Sequence, residues 1–309
     1  MVVFMTNNRL IWLNGEIVKV EDAKINVLAP TAQFGANVFE GIRCYWNDER
    51  QELYAFRLND HYKRLLNSMK MFRMEMKFTI DDFKNALLEV VTANGYKEDI
   101  AVRQTVFVDG FGSWFAEGPI GMFVAPIPKG RTLVEGKKGY SACVSSWERI
   151  SDRNLSPRVK VGANYINSRM AQLEAKQNGY DTAIFMNNQG KISEGPGSCI
   201  FIVRDGILYT PLLTDSVLES ITRDTVIKIA KDFLNITVIE RSIDRTELYI
   251  ADELFLCGSA MEIVKIVKID GYSLENNNFT ITDKLTIMYL NIVRGKVRFN
   301  DDWITSIYE

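Results

Sequence analysis

The sequence predicts a globular chain of two domains, in which strands and helices mix without the regular alternation of a doubly wound parallel sheet. Three observations carry this. The 309 residues are 47% apolar and 25% charged, the balance of a soluble globular protein, and at roughly 150 residues per domain the length suggests about two domains. Apolar residues recur at a helical period in some stretches and a strand period in others. Finally, Ala125-Pro126-Ile127-Pro128-Lys129-Gly130 interrupts a strand-like run, and proline lacks the donor that sheet pairing needs. The boundary is placed there, with residues 1–127 as the first domain, 128–135 as an interdomain loop and 136–309 as the second domain.

In chain order, Leu10–Leu13 and Glu16–Val18 read as two strands joined by Asn14-Gly15, residues that tolerate the positive φ of a tight hairpin. Tyr62, Leu65, Leu66, Met69 and Phe72 recur at three and four, which predicts a helix over 59–72 with Lys63, Arg64 and Lys70 off its apolar face. A second helix is expected from Asp81 to Ala93, stopping at Asn94-Gly95. Strand-like Gly121–Val124 precedes the prolines. Beyond them, Ser141–Trp147 reads as a strand and Ala163–Asn178 as a helix ending at Gly179. Strands follow at Asp181–Met186, Lys191–Ser193, Cys199–Val203 and Ile207–Tyr209, then a helix over Ile221–Leu234. Strands near Val238–Arg241 and Glu253–Cys257 and an Asp270-Gly271 hairpin complete the pattern. Asn276-Asn277-Asn278 reads as a loop.

Lys and Arg number 37 against 39 Asp and Glu, so no positive excess is present to neutralise a nucleic-acid backbone. No stretch approaches the ~20 apolar residues of a membrane helix. The apolar opening Met1–Met5 is too short for a signal peptide and lacks its flanks. Cys44, Cys143, Cys199 and Cys257 show no metal or redox spacing and read as small buried hydrophobes in a reducing cytoplasm. The single histidine, His61, reads as structural, which points to chemistry without imidazole and to no metal site. Gly110-Phe111-Gly112 and Gly195-Pro196-Gly197 lack a dinucleotide fingerprint or a Walker lysine. Leu218–Asp224 places hydroxyl residues where a helix starts, which suits either an ordinary N-cap or an anion site. Without histidine, a lysine nucleophile, carboxylates, tyrosine or a borrowed cofactor remain.

Arg158-Val159-Lys160-Val161-Gly162-Ala163-Asn164-Tyr165 resembles the lysine motif of the branched-chain aminotransferases, within fold type IV of the pyridoxal phosphate enzymes. Phe39-Glu40-Gly41-Ile42-Arg43-Cys44-Tyr45 resembles the family's substrate-side motif, and Ile192–Ser198 its glutamate-containing cofactor motif. Ser220–Asp224 and Cys257–Ile263 resemble two further family turns, in the family's order. The resemblance implies a small α/β N-terminal domain and a larger C-terminal domain built round a barrel-like sheet, with pyridoxal 5'-phosphate between them. It implies Lys160 as the Schiff-base lysine and proton carrier, Glu194 on the pyridine nitrogen and Tyr165 on the phenolic oxygen. Arg64, Ile221, Thr222 and Ser259 would hold the phosphate, while Gly258, Ser259 and Ala260 would receive the substrate carboxylate. Glu40 is left to the fold.

Against the family's usual pattern, Phe34, Ala101 and Thr132 stand where tyrosines are common. Losing hydroxyl donors changes which polar substrates a pocket satisfies. Phe39, Arg43 and Arg103 would face the substrate, with Lys129 and Arg131 near the entrance, so that an arginine could pair with the second carboxylate of 2-oxoglutarate. The resemblance thus implies ping-pong transamination between an L-amino acid, branched-chain or larger and more polar, and 2-oxoglutarate, by a cytoplasmic homodimer or higher oligomer. An aminodeoxychorismate lyase-like or D-amino acid aminotransferase-like enzyme is the alternative. A non-catalytic metabolite-binding protein is the alternative from another class, and Lys160 together with Glu194 argues against it.

Overall fold

The computed structural model describes residues 9–132, 138–274 and 278–309. Met1–Met5, Asn276, Asn277 and residues 133–135 of the expected loop lie outside them. The chain divides into two compact units that do not follow one cut: Met1–Gly130, Val159–Ala163 and Val293–Glu309 form the first, Arg131–Arg158 and Asn164–Ile292 the second. In chain order the elements are β1 (Leu10–Leu13), β2 (Glu16–Lys19), α1 (Pro30–Phe34), β3 (Asn37–Asn47), β4 (Glu52–Phe56), α2 (Leu58–Met71), α3 (Ile80–Asn94), β5 (Ile100–Val108) and β6 (Ile120–Pro128). Then come β7 (Tyr140–Glu148), α4 (Tyr165–Gln177), β8 (Thr182–Met186), β9 (Glu194–Gly195), β10 (Ser198–Arg204), β11 (Ile207–Thr210), α5 (Ile221–Asp232), β12 (Val238–Glu240), β13 (Glu253–Gly258), β14 (Glu262–Ile269), β15 (Tyr272–Ser273), α6 (Thr280–Val293) and β16 (Ile304–Ser306). Among the described residues no helix is long and apolar enough to cross a membrane.

The first unit is an antiparallel sheet in the order β16-β4-β3-β5-β6-β1-β2. Asn14 and Gly15 both take positive φ in the β1–β2 turn, as the hairpin requires. Alternation along β3 and β5 sends Val38, Ile42, Val102 and Val106 into a core with Tyr62 and Leu65 of α2 and Phe83 and Leu87 of α3. A reciprocal cap between Thr79 and Asp82 starts α3, and Gly95 in the left-handed region ends it. Phe39, Gly41, Arg43, Ala101, Arg103 and Thr105 share the opposite face, because Phe39 pairs with Thr105, Gly41 with Arg103 and Arg43 with Ala101.

The prolines do not interrupt β6. It runs through Pro126 and Pro128, which pair with Val102 and Ile100. Met122 shows the reason, since its N–H and C=O both bond Asn14 on the β1 side. Residues 126 and 128 share that orientation, and β1 reaches only to Val124. Their missing donors therefore face the open side of the strand, where no ladder bond is lost.

The second unit holds a mixed sheet in the order β12-β11-β10-β13-β14-β7-β8. The stretch 192–195 closes part of it into a ring. Ser193 donates to Phe185 and Ile192 bridges Met186 on the β8 side, while Glu194 and Gly195 pair with Cys199 and Ser198 of β10. The strand expected over Lys191–Ser193 is only a pair of isolated bridges, since Ile192 donates to Ile243 while Ser193 turns to β8. Helix α6, which the sequence pattern does not announce, starts on a distant acceptor. Buried Glu253 takes the N–H groups of Ile281 (2.9 Å) and Thr282 (2.7 Å) and the Thr282 hydroxyl.

Helix-start N–H groups have no partner within their own helix, so Glu253→Ala leaves two of them unmet and is expected to cost about 2–4 kcal/mol, with Glu253→Gln milder because it keeps an acceptor. Urea unfolding of the three proteins tests this; equal midpoints for wild type and Glu253→Ala would refute the capping role.

Candidate functional site

In the first unit, Lys160 belongs to the short stretch 159–163 that lies along β3. Its N–H donates to Ser68 Oγ of α2 at 3.2 Å, and its carbonyl accepts from Phe39 N at 2.9 Å. Val161 bridges Val38. A Cβ on Gly162 would stand 2.5 Å from Asn37 Oδ1, so glycine lets the backbone pass that side chain. The amine of Lys160 lies 5.1 Å from the centre of the Phe39 ring, and the Arg103 guanidinium 4.0 Å from the same centre. Arg43 is buried, donates to Gly130 O at 3.3 Å and rests against Tyr45. Ala101 shares its face of the sheet. Phe34 ends α1 about half exposed.

Arg64 is not a solvated charge. Its Nε and Nη2 bond the two oxygens of Glu40 at 2.8 and 2.7 Å, and His61 Nδ1 lies 2.6 Å from Glu40 Oε2. Glu40 is fully buried. Burial alone would raise its pKa, but the charges and hydrogen bonds of Arg64 and His61 outweigh that and hold the carboxyl well below the ordinary carboxylate range. For His61, burial opposed by Glu40 lowers the imidazole pKa, with Arg64 and Lys160 adding to the fall. An ionised carboxylate only accepts, so His61 Nδ1 is the donor. Sequence reading left Glu40 out of the site, although its position on the inner face of β3 aims it at α2.

In the second unit, Arg149 Nε and Nη2 both meet Glu194 Oε1 at 2.8 Å, and Leu218 N donates to Oε2 at 3.2 Å. The Cys199 thiol lies 3.8 Å from the same Oε2. Arg149 carried no sequence signal, being 45 residues from its partner. Ser220 caps α5 by accepting from Arg223 N, and Ile221 and Thr222 are the first residues of the helix, at the positive end of its dipole. Arg223 itself turns inward to Pro211 O and Glu240. Gly258 ends β13 where a Cβ would stand 3.0 Å from Gly197 O. Just past it, the Thr132 hydroxyl donates to Ala260 O, and buried Glu262 lies 3.7 Å from Arg131 Nε. Ser259 is partly buried, and Tyr165 opens α4 with its ring partly exposed. All four cysteines are free and buried, and burial pushes the Cys44 thiol up to about 12 and Cys143 to about 11, as inert core residues.

These groups suit a phosphorylated pyridine aldehyde. Taken unit by unit, the Lys160 amine of the first suits the carbonyl, and in the second the arginine-held Glu194 carboxylate suits the ring nitrogen while the α5 start and the Gly258 turn suit the anionic tail. Ser198 Oγ, buried beside Gly195 with no hydrogen-bond partner among the described residues, leaves one polar group for a ligand to satisfy.

The profile of the amino-transferase class IV family matches residues 37–269. A probable branched-chain-amino-acid aminotransferase of Aquifex aeolicus is 37% identical over 305 residues, covering 96% of each chain. The solved branched-chain amino acid aminotransferase of Thermobaculum terrenum, in its PLP-form, is 42% identical with a TM-score of 0.91, covering 98% of this chain and 100% of that one. A second solved branched-chain amino acid aminotransferase, from T.th. and complexed with N-(5'-phosphopyridoxyl)-L-glutamate, is 35% identical with a TM-score of 0.89, covering 96% of this chain and 98% of that one. The chain belongs to the class IV aminotransferases and has their two-domain fold type IV architecture. It is accordingly a pyridoxal phosphate-dependent transaminase.

The Glu40 cluster has a pH signature. A carboxyl whose folded pKa is depressed adds stability above its unfolded value of about 4.3 and loses it as pH falls below that. Glu40→Gln is expected to cost about 3–5 kcal/mol at neutral pH, because it strands a buried arginine. It should also flatten the fall in stability between about pH 5 and about pH 3. Urea unfolding across that range tests both; an unchanged slope contradicts the assignment.

Proposed function

We propose that this aminotransferase moves the amino group of a branched-chain or related larger L-amino acid to 2-oxoglutarate by a ping-pong mechanism. Lys160 carries the reading. Its backbone is bonded at both ends while its amine stands over the Phe39 ring, so a flexible side chain is mounted on a fixed base beside the substrate-facing residues.

Lys160 Nζ is the covalent attachment point at rest. Lys160 Nζ would also take the proton from the donor α-carbon and return it, acting as base and then acid. Pyridoxal phosphate, when bound, supplies a pyridine ring that accepts the electron pair left on that carbon. Glu194 holds the proton on the ring nitrogen, and Arg149 and Leu218 N hold Glu194. Tyr165 donates its hydroxyl to the phenolic oxygen. Arg64, the N–H groups of Ile221 and Thr222 and the Ser259 hydroxyl hold the phosphate, with Glu40 and His61 fixing Arg64.

Gly258, Ser259 and Ala260 receive the substrate α-carboxylate, and Phe34, Phe39 and Ala101 shape its side-chain pocket. Arg103 takes the distal carboxylate of the acceptor, with Arg43 behind it and Arg131 at the entrance. The phosphopyridoxyl-glutamate complex of the solved T.th. relative supports the acceptor. Val27, Leu28, Phe111, Trp114 and Phe115 stand exposed on the first unit. Such apolar surface supports self-association, here as a cytoplasmic homodimer.

The test is a half-reaction. Holoenzyme given a branched-chain L-amino acid without acceptor should lose its visible absorption and regain it on addition of 2-oxoglutarate, while Lys160→Ala should show neither change. No response to any L-amino acid overturns the proposal, and a response to D-amino acids alone makes the enzyme a D-specific relative.

A further inference from the structure

We propose that Phe39 is a positioning residue that fixes the spacing between Lys160 and Arg103, and that this spacing selects a five-carbon oxo diacid as acceptor. The inference rests on the reading of Arg103 as the group that meets the acceptor's distal carboxylate.

Two cations share one ring. The Arg103 guanidinium carbon is 4.0 Å and the Lys160 amine 5.1 Å from the centre of Phe39. Phe39 is only 4% exposed, whereas Arg103 is an exposed residue. A long charged side chain in water samples many rotamers. Laid against the negative face of a fixed aromatic ring, it keeps one.

The sheet register explains how it gets there. Arg103 stands directly opposite Gly41, and Phe39 is two residues further along the same face. A Cβ at Gly41 would meet nothing within 4 Å, so no side chain bars Arg103 from folding across to the ring. Lys160 is set at the same ring by the hydrogen bond from Phe39 N to its carbonyl. Phe39 thereby joins the lysine that works at the α-carbon to the arginine that works at the far carboxylate.

A diacid must satisfy both positions together, and a branched-chain oxo acid needs only the first. Loss of the ring should therefore penalise diacids selectively, whereas loss of mere packing would penalise both classes alike. The shorter four-carbon diacid should gain relative to the five-carbon one when the spacing is no longer held.

The experiment measures kcat/KM of holoenzyme for 2-oxoglutarate, oxaloacetate and 4-methyl-2-oxopentanoate. It compares wild type with Phe39→Leu, Phe39→Met and Phe39→Tyr, each alone and combined with Arg103→Ala. Phe39→Leu should lower the preference for 2-oxoglutarate over 4-methyl-2-oxopentanoate about 2- to 30-fold, chiefly through KM, the range of a cation–π contact. Phe39→Met gives the same comparison if the leucine variant does not fold. Phe39→Tyr should keep the preference, and no Phe39 variant should alter it once Arg103 is alanine. The proposal fails if Phe39→Leu and Phe39→Met leave the preference unchanged while Arg103→Ala lowers it. If Arg103→Ala alone leaves the preference unchanged, the acceptor reading fails and takes the proposal with it.

Discussion

A carboxylate removed from water must be met by cations and N–H groups, and the chemistry of both units depends on how this is done. In the first, Glu40 is met by Arg64 and His61. In the second, Glu194 is met by Arg149 and Leu218 N. Each arrangement fixes the orientation of a charged side chain without exposing it. Replacing either pair with apolar residues can be neutral for stability, but it would remove a charge held in one orientation.

The same logic explains why one histidine suffices. His61 is committed to Glu40, and burial lowers its pKa. Lys160 is fixed through its backbone. The bonds to Ser68 and Phe39 hold its main chain, while its long side chain carries the amine over the Phe39 ring.

Locally determined features were legible in the sequence. The Asn14-Gly15 hairpin, the apolar face of α2 and the Gly95 stop each depend on residues close together in the chain, and each forms as expected. The resemblance identified the family because its motifs are also local. What the sequence hid depends on distant neighbours. Pro126 and Pro128 look like strand breakers unless one knows that β1 stops at Val124. Glu40 looks like a fold residue until α2 brings Arg64 over it, and nothing near Arg149 points to Glu194. The start of α6 likewise relies on Glu253, a residue in another element.

The uneven division of the chain also bears on its biogenesis. The first unit takes its lysine stretch from 159–163 and its edge strand β16 from residues 304–306, which pair with Tyr54–Phe56 of β4. Domains usually fold in order as they emerge from the ribosome. Here the N-terminal sheet cannot be completed until residues 304–306 have been made, and its Lys160 stretch also arrives well after β3, along which it lies. The nascent protein must therefore keep the β4 edge open from the making of β4 until that of β16, an interval in which pairing with another chain competes with closure.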